Sequence, residues 1–183
     1  MNVKDIAKNI YWKAYGKTIS NPKLPKCIGS ILFVCLGNIC RSPFAEKYAA
    51  VNFRSTVEYD FSSAGIQGEF PRPAPVEAIE AAKYFGVDLN GHRSRRLDKN
   101  MMESSDIILV MDVWQYNYMN RAFHGIRNKL FLLPLYENNT TGFKDKYFYY
   151  NIKDPYGKNI SDYTECYRRI VNCLSVFMKG IRK

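Results

Sequence analysis

The sequence predicts an α/β fold in which helices cover a four-stranded parallel sheet. Three apolar segments show no polar alternation, which is typical of strands buried on both faces. Segments with helical spacing of apolar residues separate the strands, and this order favours a parallel sheet with right-handed crossovers. Ligands of such folds bind at the carboxyl ends of the strands, so the residues that follow each strand are candidates for function.

The elements of the first half are predicted from their local composition. Residues 30–36 (SILFVCL) form a buried strand, and residues 43–54 form a helix. Residues 57–65 form a second strand that ends at a turn. Residues 74–86 form a helix that ends at Gly86, because glycine readily adopts the backbone angles found at a helix C-terminus.

The second half repeats this alternation. It contains two strands, at residues 106–111 and 129–135, and two helices, at residues 112–123 and 161–182. The last helix carries Cys166 and Cys173 in line with other apolar residues. These two cysteines are therefore predicted to face the core, as most buried cysteines do.

Residues 1–28 are predicted to form an N-terminal extension, and residues 29–183 a single domain. Apolar residues at helical spacing favour a helix at residues 3–15, and two prolines in the stretch NPKLPK end the pattern. Six lysines and one aspartate give the extension about half of the net charge of +10. Basic amphipathic helices bind membranes or proteins, but this apolar stripe is modest, so contact with a protein surface is favoured over lipid.

The composition favours a folded protein of a reducing compartment. No stretch approaches the roughly 18 apolar residues that a membrane span needs. The five cysteines are odd in number and form no disulfide framework, which favours a cytoplasmic location. The basic charge is compatible with nucleic acid, but zinc-finger spacings and RNP-type aromatic signatures are missing, so nucleic-acid binding is not expected.

The loop CLGNICRS, residues 35–42, joins the first strand to the first helix. Backbone N–H groups of such a loop, together with those of the first helical turn, converge on one anion. Gly37 permits the tight backbone of a cradle, and the guanidinium of Arg41 matches two phosphate oxygens. The same positive field favours a thiolate at Cys35, so the sequence predicts a loop that binds phosphate and a cysteine that attacks it.

A cysteine that accepts a phosphoryl group also requires an acid to protonate the leaving oxygen. Asp154, in the stretch KDPYG just before the final helix, is the candidate. On its own, an aspartate before proline is more typical of a turn. The two histidines, His92 and His124, suggest no ligand cluster, so neither a metal nor a cofactor is expected.

The chain resembles the low-molecular-weight protein-tyrosine phosphatase family in five stretches within residues 30–183. They are VCLGNICRS at the end of the first strand, SSAG at 62–65, GHRSRRL at 91–97, ILVMD at 108–112 and DPY before the final helix. The resemblance implies a three-layer αβα sandwich of the phosphotyrosine phosphatase I type. It also implies metal-independent hydrolysis of phosphotyrosine through a cysteinyl-phosphate intermediate.

The resemblance assigns a catalytic role to three matching residues. Cys35 is the nucleophile, and Arg41 clamps the phosphoryl group and stabilises the transition state. Asp154 protonates the tyrosyl oxygen and later activates water. The first of these roles agrees with the interpretation of the loop given above.

Other matching residues are expected to support the loop or to bind the substrate. Ser42 steadies the sulfur as a leaving group, and Asn38 holds the loop in shape with support from His92. Tyr156 and Phe70 are expected to flank the substrate ring, although some family members have a second aromatic residue after Tyr156. The loop residues expected around the phosphate are Leu36, Gly37, Asn38, Ile39, Cys40 and Ser42.

The resemblance also implies redox control and a substrate preference. Related enzymes with both loop cysteines form a reversible disulfide, here between Cys35 and Cys40; the alternative is that Cys40 merely packs beneath the loop.

Family members that prefer phosphoarginine have threonine at the position of Ile39. An isoleucine presents an apolar wall to a phenyl ring, so phosphotyrosine is expected over phosphoarginine and phosphoserine, unless Ile39 points into the core.

Other functions are compatible with parts of the pattern. Arsenate reductases share the fold but need further cysteines after the middle strands, and none lies between Cys40 and Cys166. A non-catalytic phosphotyrosine-binding module would be expected to lose Cys35 or Asp154, and both are present. A basic scaffold that works through residues 1–28 is compatible with catalysis.

The partners that the resemblance implies are proteins phosphorylated on tyrosine. Bacterial members of the family often oppose tyrosine-rich autokinases in polysaccharide export, so such a kinase is a candidate partner. Residues 1–28 have no counterpart in the usual core of the family, and they are expected to be dispensable for turnover of a small aryl phosphate.

Overall fold

The computed structural model describes residue 10 and residues 19–53, 59–68, 71–137 and 147–181. Of the predicted helix at residues 3–15 it describes Ile10 alone, and Phe70 lies outside the described residues. The predicted sheet and the helices on its two faces lie mostly within these residues, and the predicted three-layer fold is confirmed.

Four parallel strands form a sheet in the described part of the chain, in the order β2-β1-β3-β4. Their bounds are Ser30–Cys35 (β1), Asp60–Gly65 (β2), Ile107–Val110 (β3) and Leu130–Leu132 (β4). β1 lies between β2 and β3, with Cys35 opposite Gly65 and Val34 opposite Val110. The carboxyl end of the central strand is therefore the point where Cys35 leaves the sheet.

Five α-helices in the described residues after Ser30 lie on the two faces of the sheet. Their bounds are Arg41–Asn52 (α1), Val76–Lys83 (α2), Lys99–Ser104 (α3), Val113–Ala122 (α4) and Ile160–Ile181 (α5). Side chains of β1 alternate between two apolar clusters: Phe33 packs with residues of α1, α2 and α5, and Val34 with residues of α3 and α4. No helix in these parts of the chain has the length and the apolar run needed to cross a membrane.

Several elements differ from the prediction, and the helix predicted at residues 74–86 spans only Val76–Lys83. β4 ends at Leu132 rather than at residue 135, because Pro134 has no N–H to donate and the chain enters a 3₁₀-helix at Leu133–Tyr136. The short helix α3 is absent from the prediction. Its signal is Asp98, whose carboxylate accepts a hydrogen bond from the Met101 N–H (2.8 Å) and so caps the first turn.

Helix α1 is anchored so that its first turn lies beside the loop that follows β1. It begins at Arg41, and the ring of Phe44 stacks on Tyr167 of α5 with centroids 3.8 Å apart and planes 4° apart. Both rings are fully buried. This contact fixes α1 against α5 and places the unpaired N–H groups of its first turn next to the loop.

Residues 19–28 pack against the domain, and Asn21 lies at the outer edge of β4. The side-chain amide of Asn21 donates to the Leu132 carbonyl (3.2 Å) and accepts from the Leu132 N–H (2.7 Å). Ile19 joins the apolar cluster on the α3 and α4 face, whereas Leu24 and Ile28 pack against the cluster on the other face. The segment therefore covers an edge strand that would otherwise expose unpaired backbone groups.

These contacts define a deletion experiment on the predicted extension. Removing residues 1–18 is expected to leave the melting temperature and the turnover of a small aryl phosphate near their full-length values. Removing residues 1–28 is expected to lower the melting temperature, because it uncovers the β4 edge and removes three apolar contacts. Asn21→Ala in the full chain should lower the free energy of unfolding by about 1–3 kcal/mol. Equal melting temperatures for the two deletions would contradict this expectation.

Candidate active site

A cavity of about 230 Å³ lies at the carboxyl end of β1. Eight of the predicted site residues line it: Cys35, Leu36, Gly37, Ile39, Cys40, Arg41, Asp154 and Tyr156. The position agrees with the expectation that ligands bind at the carboxyl ends of parallel strands. Asn38, Ser42 and His92 are not part of the cavity wall. The side chains of Asn38 and Ser42 bond to each other, and the ring of His92 bonds to the backbone of the loop.

The thiol of Cys35 is buried at the base of the loop. Its Sγ lies 3.0 Å from the Ser42 hydroxyl and accepts a hydrogen bond from the Asn38 N–H (3.3 Å). Both groups are positioned to stabilise negative charge on the sulfur. The geometry therefore suits a sulfur that acts as a nucleophile and later as a leaving group.

Arg41 is buried and is held by groups from two other segments. Its Nη1 donates to the Asp112 carboxylate (3.1 Å) and to the Ile152 carbonyl (3.1 Å). Its Nη2 pairs with the carboxylate of Asp154. Among the described residues, the buried Nε of Arg41 has no hydrogen-bond partner. Since a buried donor without an acceptor costs free energy, this N–H is available to an anion in the cavity.

Asn38 organises the loop from behind. Its backbone is left-handed, with φ of 51°, and its buried amide Nδ2 donates to the hydroxyls of Ser42 (2.9 Å) and Ser63 (2.8 Å). Its Oδ1 accepts from the Arg95 N–H (2.9 Å), and its carbonyl lies 2.6 Å from His92 Nε2. These bonds hold a backbone conformation that residues other than glycine seldom adopt.

The imidazole of His92 supports the loop as a neutral donor. Burial lowers the pKa of His92 below its ordinary value, although its hydrogen bond to the Asn38 carbonyl acts in the opposite direction. Because a carbonyl can only accept, the proton lies on Nε2 and His92 donates it. The predicted neighbours Asn38 and His92 are thus in direct contact.

The SSAG stretch contributes a close approach between β2 and the loop. A Cβ placed on Gly65 would lie 2.9 Å from the carbonyl carbon of Gly37 and 3.0 Å from the nitrogen of Asn38. Any side chain at this position would therefore displace the loop. Ser63, in the same stretch, accepts from Asn38 and donates to Glu46 of α1 (2.5 Å), which links β2, α1 and the loop.

The mouth of the cavity is formed by Tyr156 and Arg72. Tyr156 is about half exposed, and its backbone N–H donates to Asp154 Oδ1 (3.1 Å). Arg72 Nη2 donates to the Tyr156 hydroxyl (3.2 Å), and its guanidinium lies 5.9 Å from the ring centroid. The role expected for Phe70, a second wall of the cleft, concerns a residue outside the described part of the chain.

The sequence interpretation gave Asp112 no role in the site, although this residue begins a predicted helix and ends the ILVMD stretch. One oxygen of its carboxylate accepts from Arg41, and the other accepts from the Gln115 N–H (2.8 Å), which caps α4. The buried side chain of Gln115 donates to Asp112 (2.7 Å) as well. A usable signal existed in the sequence, because Asp112 directly follows a buried parallel strand.

Cys40 lies on the inner side of the loop. Its Sγ is 3.8 Å from the hydroxyl of Tyr163 on α5, and burial raises the pKa of the Cys40 thiol far above its ordinary value. All the cysteines in the described residues are free thiols. Within the same residues, no group of three or more histidine, cysteine or carboxylate side chains is arranged to hold a metal ion.

Comparison with known proteins identifies the family. The model of the low molecular weight phosphotyrosine protein phosphatase family matches residues 30–183. The chain is 30% identical over 155 residues to the probable low molecular weight protein-tyrosine-phosphatase EpsP of Ralstonia nicotianae, covering 85% of this chain and 97% of that protein. It is also 30% identical to the protein-arginine-phosphatase of Bacillus subtilis, with coverages of 84% and 97%.

Solved structures lead to the same family. The crystal structure of the Erwinia amylovora tyrosine phosphatase amsI superposes with a TM-score of 0.74 at 28% identity, over 86% of this chain and 95% of that one. The sequence resemblance to this family is thereby confirmed. The chain belongs to the low molecular weight phosphotyrosine protein phosphatase family, and it is a phosphatase.

Proposed function

We propose that this phosphatase hydrolyses phosphotyrosine in proteins through a cysteinyl-phosphate intermediate. The observation that carries the proposal is the buried Nε–H of Arg41, which has no acceptor among the described residues and belongs to a loop that also holds the Cys35 thiol. A phosphoryl oxygen would satisfy this donor. The guanidinium fork would then bind two oxygens of the group that Cys35 attacks.

The first chemical step transfers the phosphoryl group to sulfur. The Cys35 thiolate forms the S–P bond while the P–O bond to the tyrosyl group breaks, and protonated Asp154 gives its proton to the departing oxygen. Arg41 and the loop N–H groups stabilise the charge on the equatorial oxygens. The pairing of Asp154 with Arg41 implies that an arriving phosphate competes for the arginine and frees the carboxyl group.

The second step releases phosphate. Asp154, now ionised, accepts a proton from a water molecule that attacks phosphorus, and the S–P bond breaks. The sulfur leaves as a thiolate. The Ser42 hydroxyl at 3.0 Å and the Asn38 N–H at 3.3 Å are placed to stabilise it.

An assay with para-nitrophenyl phosphate in the presence of a chelator tests the proposed function. Turnover at mildly acidic pH, with phosphotyrosine as a second substrate, is the expected result. An absence of turnover would favour a non-catalytic phosphotyrosine-binding module instead. Phosphoproteomics of cells that lack the protein would then identify its targets, which we propose to include a tyrosine autokinase of polysaccharide export.

Ile39 is proposed to select the aromatic phosphoester. Ile39 is 7% exposed; it packs with the apolar cluster that contains Phe33 and also lines the cavity, where it would present an apolar surface to the group attached to phosphorus. A guanidinium bound there would leave polar groups without partners, at a cost of about 1–3 kcal/mol, so wild type should favour phosphotyrosine over phosphoarginine roughly ten- to hundredfold. Ile39→Thr is expected to reduce this ratio. The measurement is kcat/KM for both phosphoamino acids, and an unchanged ratio would place the selection elsewhere.

Cys35 and Cys40 are proposed to form a protective disulfide under oxidation. Peroxide converts the Cys35 thiolate to a sulfenic acid, and the Cys40 thiol then displaces water from it to form the disulfide. Dithiothreitol should restore wild-type activity. Cys40→Ser should be inactivated irreversibly, because its sulfenic acid is oxidised further. Cys27→Ser, which changes an exposed cysteine, is the control, and equal recovery of Cys40→Ser and wild type would refute the disulfide.

A further inference from the structure

One arginine of helix α5 lies beneath the segment that leads to the acid. Arg169 Nη1 donates to the carbonyls of Asn151 (2.6 Å) and Phe148 (3.3 Å), and its Nη2 donates to the carbonyl of Tyr149 (2.8 Å). These carbonyls belong to the 3₁₀-helix Tyr147–Tyr150 and to the residue after it. Three carbonyls within four consecutive residues are thus held by a single side chain.

The remaining donors of Arg169 are bound to Glu137. Nε donates to both carboxylate oxygens (3.1 and 3.2 Å), and Nη2 donates to Oε2 (2.8 Å). The five N–H groups of the guanidinium therefore all have acceptors, and its side chain is only 13% exposed. The ring of Phe148 lies over the guanidinium, with a distance of 5.0 Å to the ring centroid. A lysine carries three donors on one nitrogen and does not reproduce this arrangement.

The segment held by Arg169 connects directly to the catalytic groups. The Asn151 side chain accepts from the Val113 N–H (3.0 Å), and Ile152 donates its N–H to the Met111 carbonyl (2.8 Å). The Ile152 carbonyl in turn accepts from Arg41. Asp154 lies two residues further on, within about 7 Å along the chain, so its position depends on where residues 148–152 are held.

We propose that Arg169 is a positioning residue for the general acid Asp154. It acts through the backbone carbonyls of Phe148, Tyr149 and Asn151, which fix the start of the acid-bearing segment against α5. The proposal rests on the proposed function, in which Asp154 protonates the leaving group. Its consequence is specific: loss of the Arg169 contacts should impair proton transfer to the leaving group and leave phosphate binding unchanged.

The test compares Arg169→Lys with Arg168→Lys. Arg168 is the exposed neighbour on the same helix and makes none of these contacts. The quantity compared is kcat/KM, which reports the transfer of the phosphoryl group to Cys35 and not the later hydrolysis, in which Asp154 acts as a base on every substrate. With phenyl phosphate, a poor leaving group, kcat/KM of Arg169→Lys is expected to fall about ten- to hundredfold, because small misplacements of a catalytic group have effects of this size. With 2,4-dinitrophenyl phosphate, which needs little protonation, kcat/KM should stay within about threefold of wild type. Arg168→Lys should match wild type on both substrates.

A double-mutant cycle separates positioning from general destabilisation. If Arg169 acts through Asp154, Arg169→Lys should have an effect of less than about twofold in the Asp154→Ala background. Affinity for the oxyanion tungstate should be unchanged in Arg169→Lys, because Arg169 contacts no residue of the loop and Arg41 keeps its bond to Asp112. Glu137→Gln, which keeps the carbonyl contacts, should retain the wild-type dependence on the leaving group.

Several results would overturn the role of Arg169. One is that Arg169→Lys slows both substrates equally, and another is that its effect is undiminished in the Asp154→Ala background. The role is also overturned if Glu137→Gln has a defect as large as that of Arg169→Lys, or if Arg169→Lys fails to fold. The proposed function fails separately, if Asp154→Ala shows no dependence on the leaving group. A wild-type kcat/KM on phenyl phosphate in Arg169→Lys, together with a clear defect in Asp154→Ala, overturns the role of Arg169 alone.

Discussion

Replacing Cys35 by serine is expected to lower the turnover of aryl phosphates by about 10⁴-fold or more while oxyanion binding persists. A serine hydroxyl is not ionised at neutral pH, and no neighbouring base is arranged to activate it, because the groups around Sγ, Ser42 and the Asn38 N–H, stabilise negative charge. The cradle itself keeps its hydrogen bonds through Asn38, so tungstate should still bind with an affinity near that of wild type.

The comparison uses kcat with para-nitrophenyl phosphate and the tungstate affinity from calorimetry. Cys27→Ser serves as the matched control, since it makes the same substitution at an exposed cysteine outside the cavity. Residual turnover of Cys35→Ser above about one hundredth of the wild-type rate would mean that another group attacks phosphorus. Loss of tungstate binding would instead show that the sulfur is needed to shape the cradle.

Asp154→Ala should slow phenyl phosphate by about 10²–10⁴-fold and 2,4-dinitrophenyl phosphate far less, because a good leaving group departs without a proton. The carboxylate lies beside Arg41 and is bordered by Tyr156, which places it at the mouth of the cavity where the leaving oxygen departs. The ratio of kcat/KM for the two substrates is the quantity to measure, because it reports the first step alone and not the hydrolysis in which Asp154 acts as a base. Equal slowing of both would mean that another group is the acid.

Asp112→Asn is the matched control for this experiment. Asp112 is the other carboxylate bound to Arg41, with 3.1 Å between Oδ2 and Nη1, but it lies behind the arginine at the start of α4. Loss of the negative charge of Asp112 should weaken the binding of the phosphoryl group by Arg41. Hydrolysis of both substrates should therefore slow by a similar factor. A strong leaving-group dependence in Asp112→Asn would contradict the division of roles between the two aspartates.

The sheet and the loop that follows β1 are predictable from the sequence because their signals are local. An apolar run that ends at Cys35 and a helix that begins at Arg41 leave few alternatives for the five residues between them. The same holds for the order of strands and helices. The shortened β4 and the unpredicted α3 are also local in origin, since Pro134 and Asp98 mark the two boundaries.

By itself, the sequence determined the fold class, the phosphate loop with Cys35 and Arg41, and the acid candidate Asp154. Only the tertiary structure decided that Asp112 binds Arg41, that Arg169 holds the acid-bearing segment, and that Asn21 covers the edge of β4. The Asp112 and Asn21 contacts join residues 71 and 111 positions apart. The Arg169 contacts depend on how α5 packs across the domain. The physical reason is that spacing encodes neighbours along one helix or strand, whereas partners from different elements meet only after the core has packed.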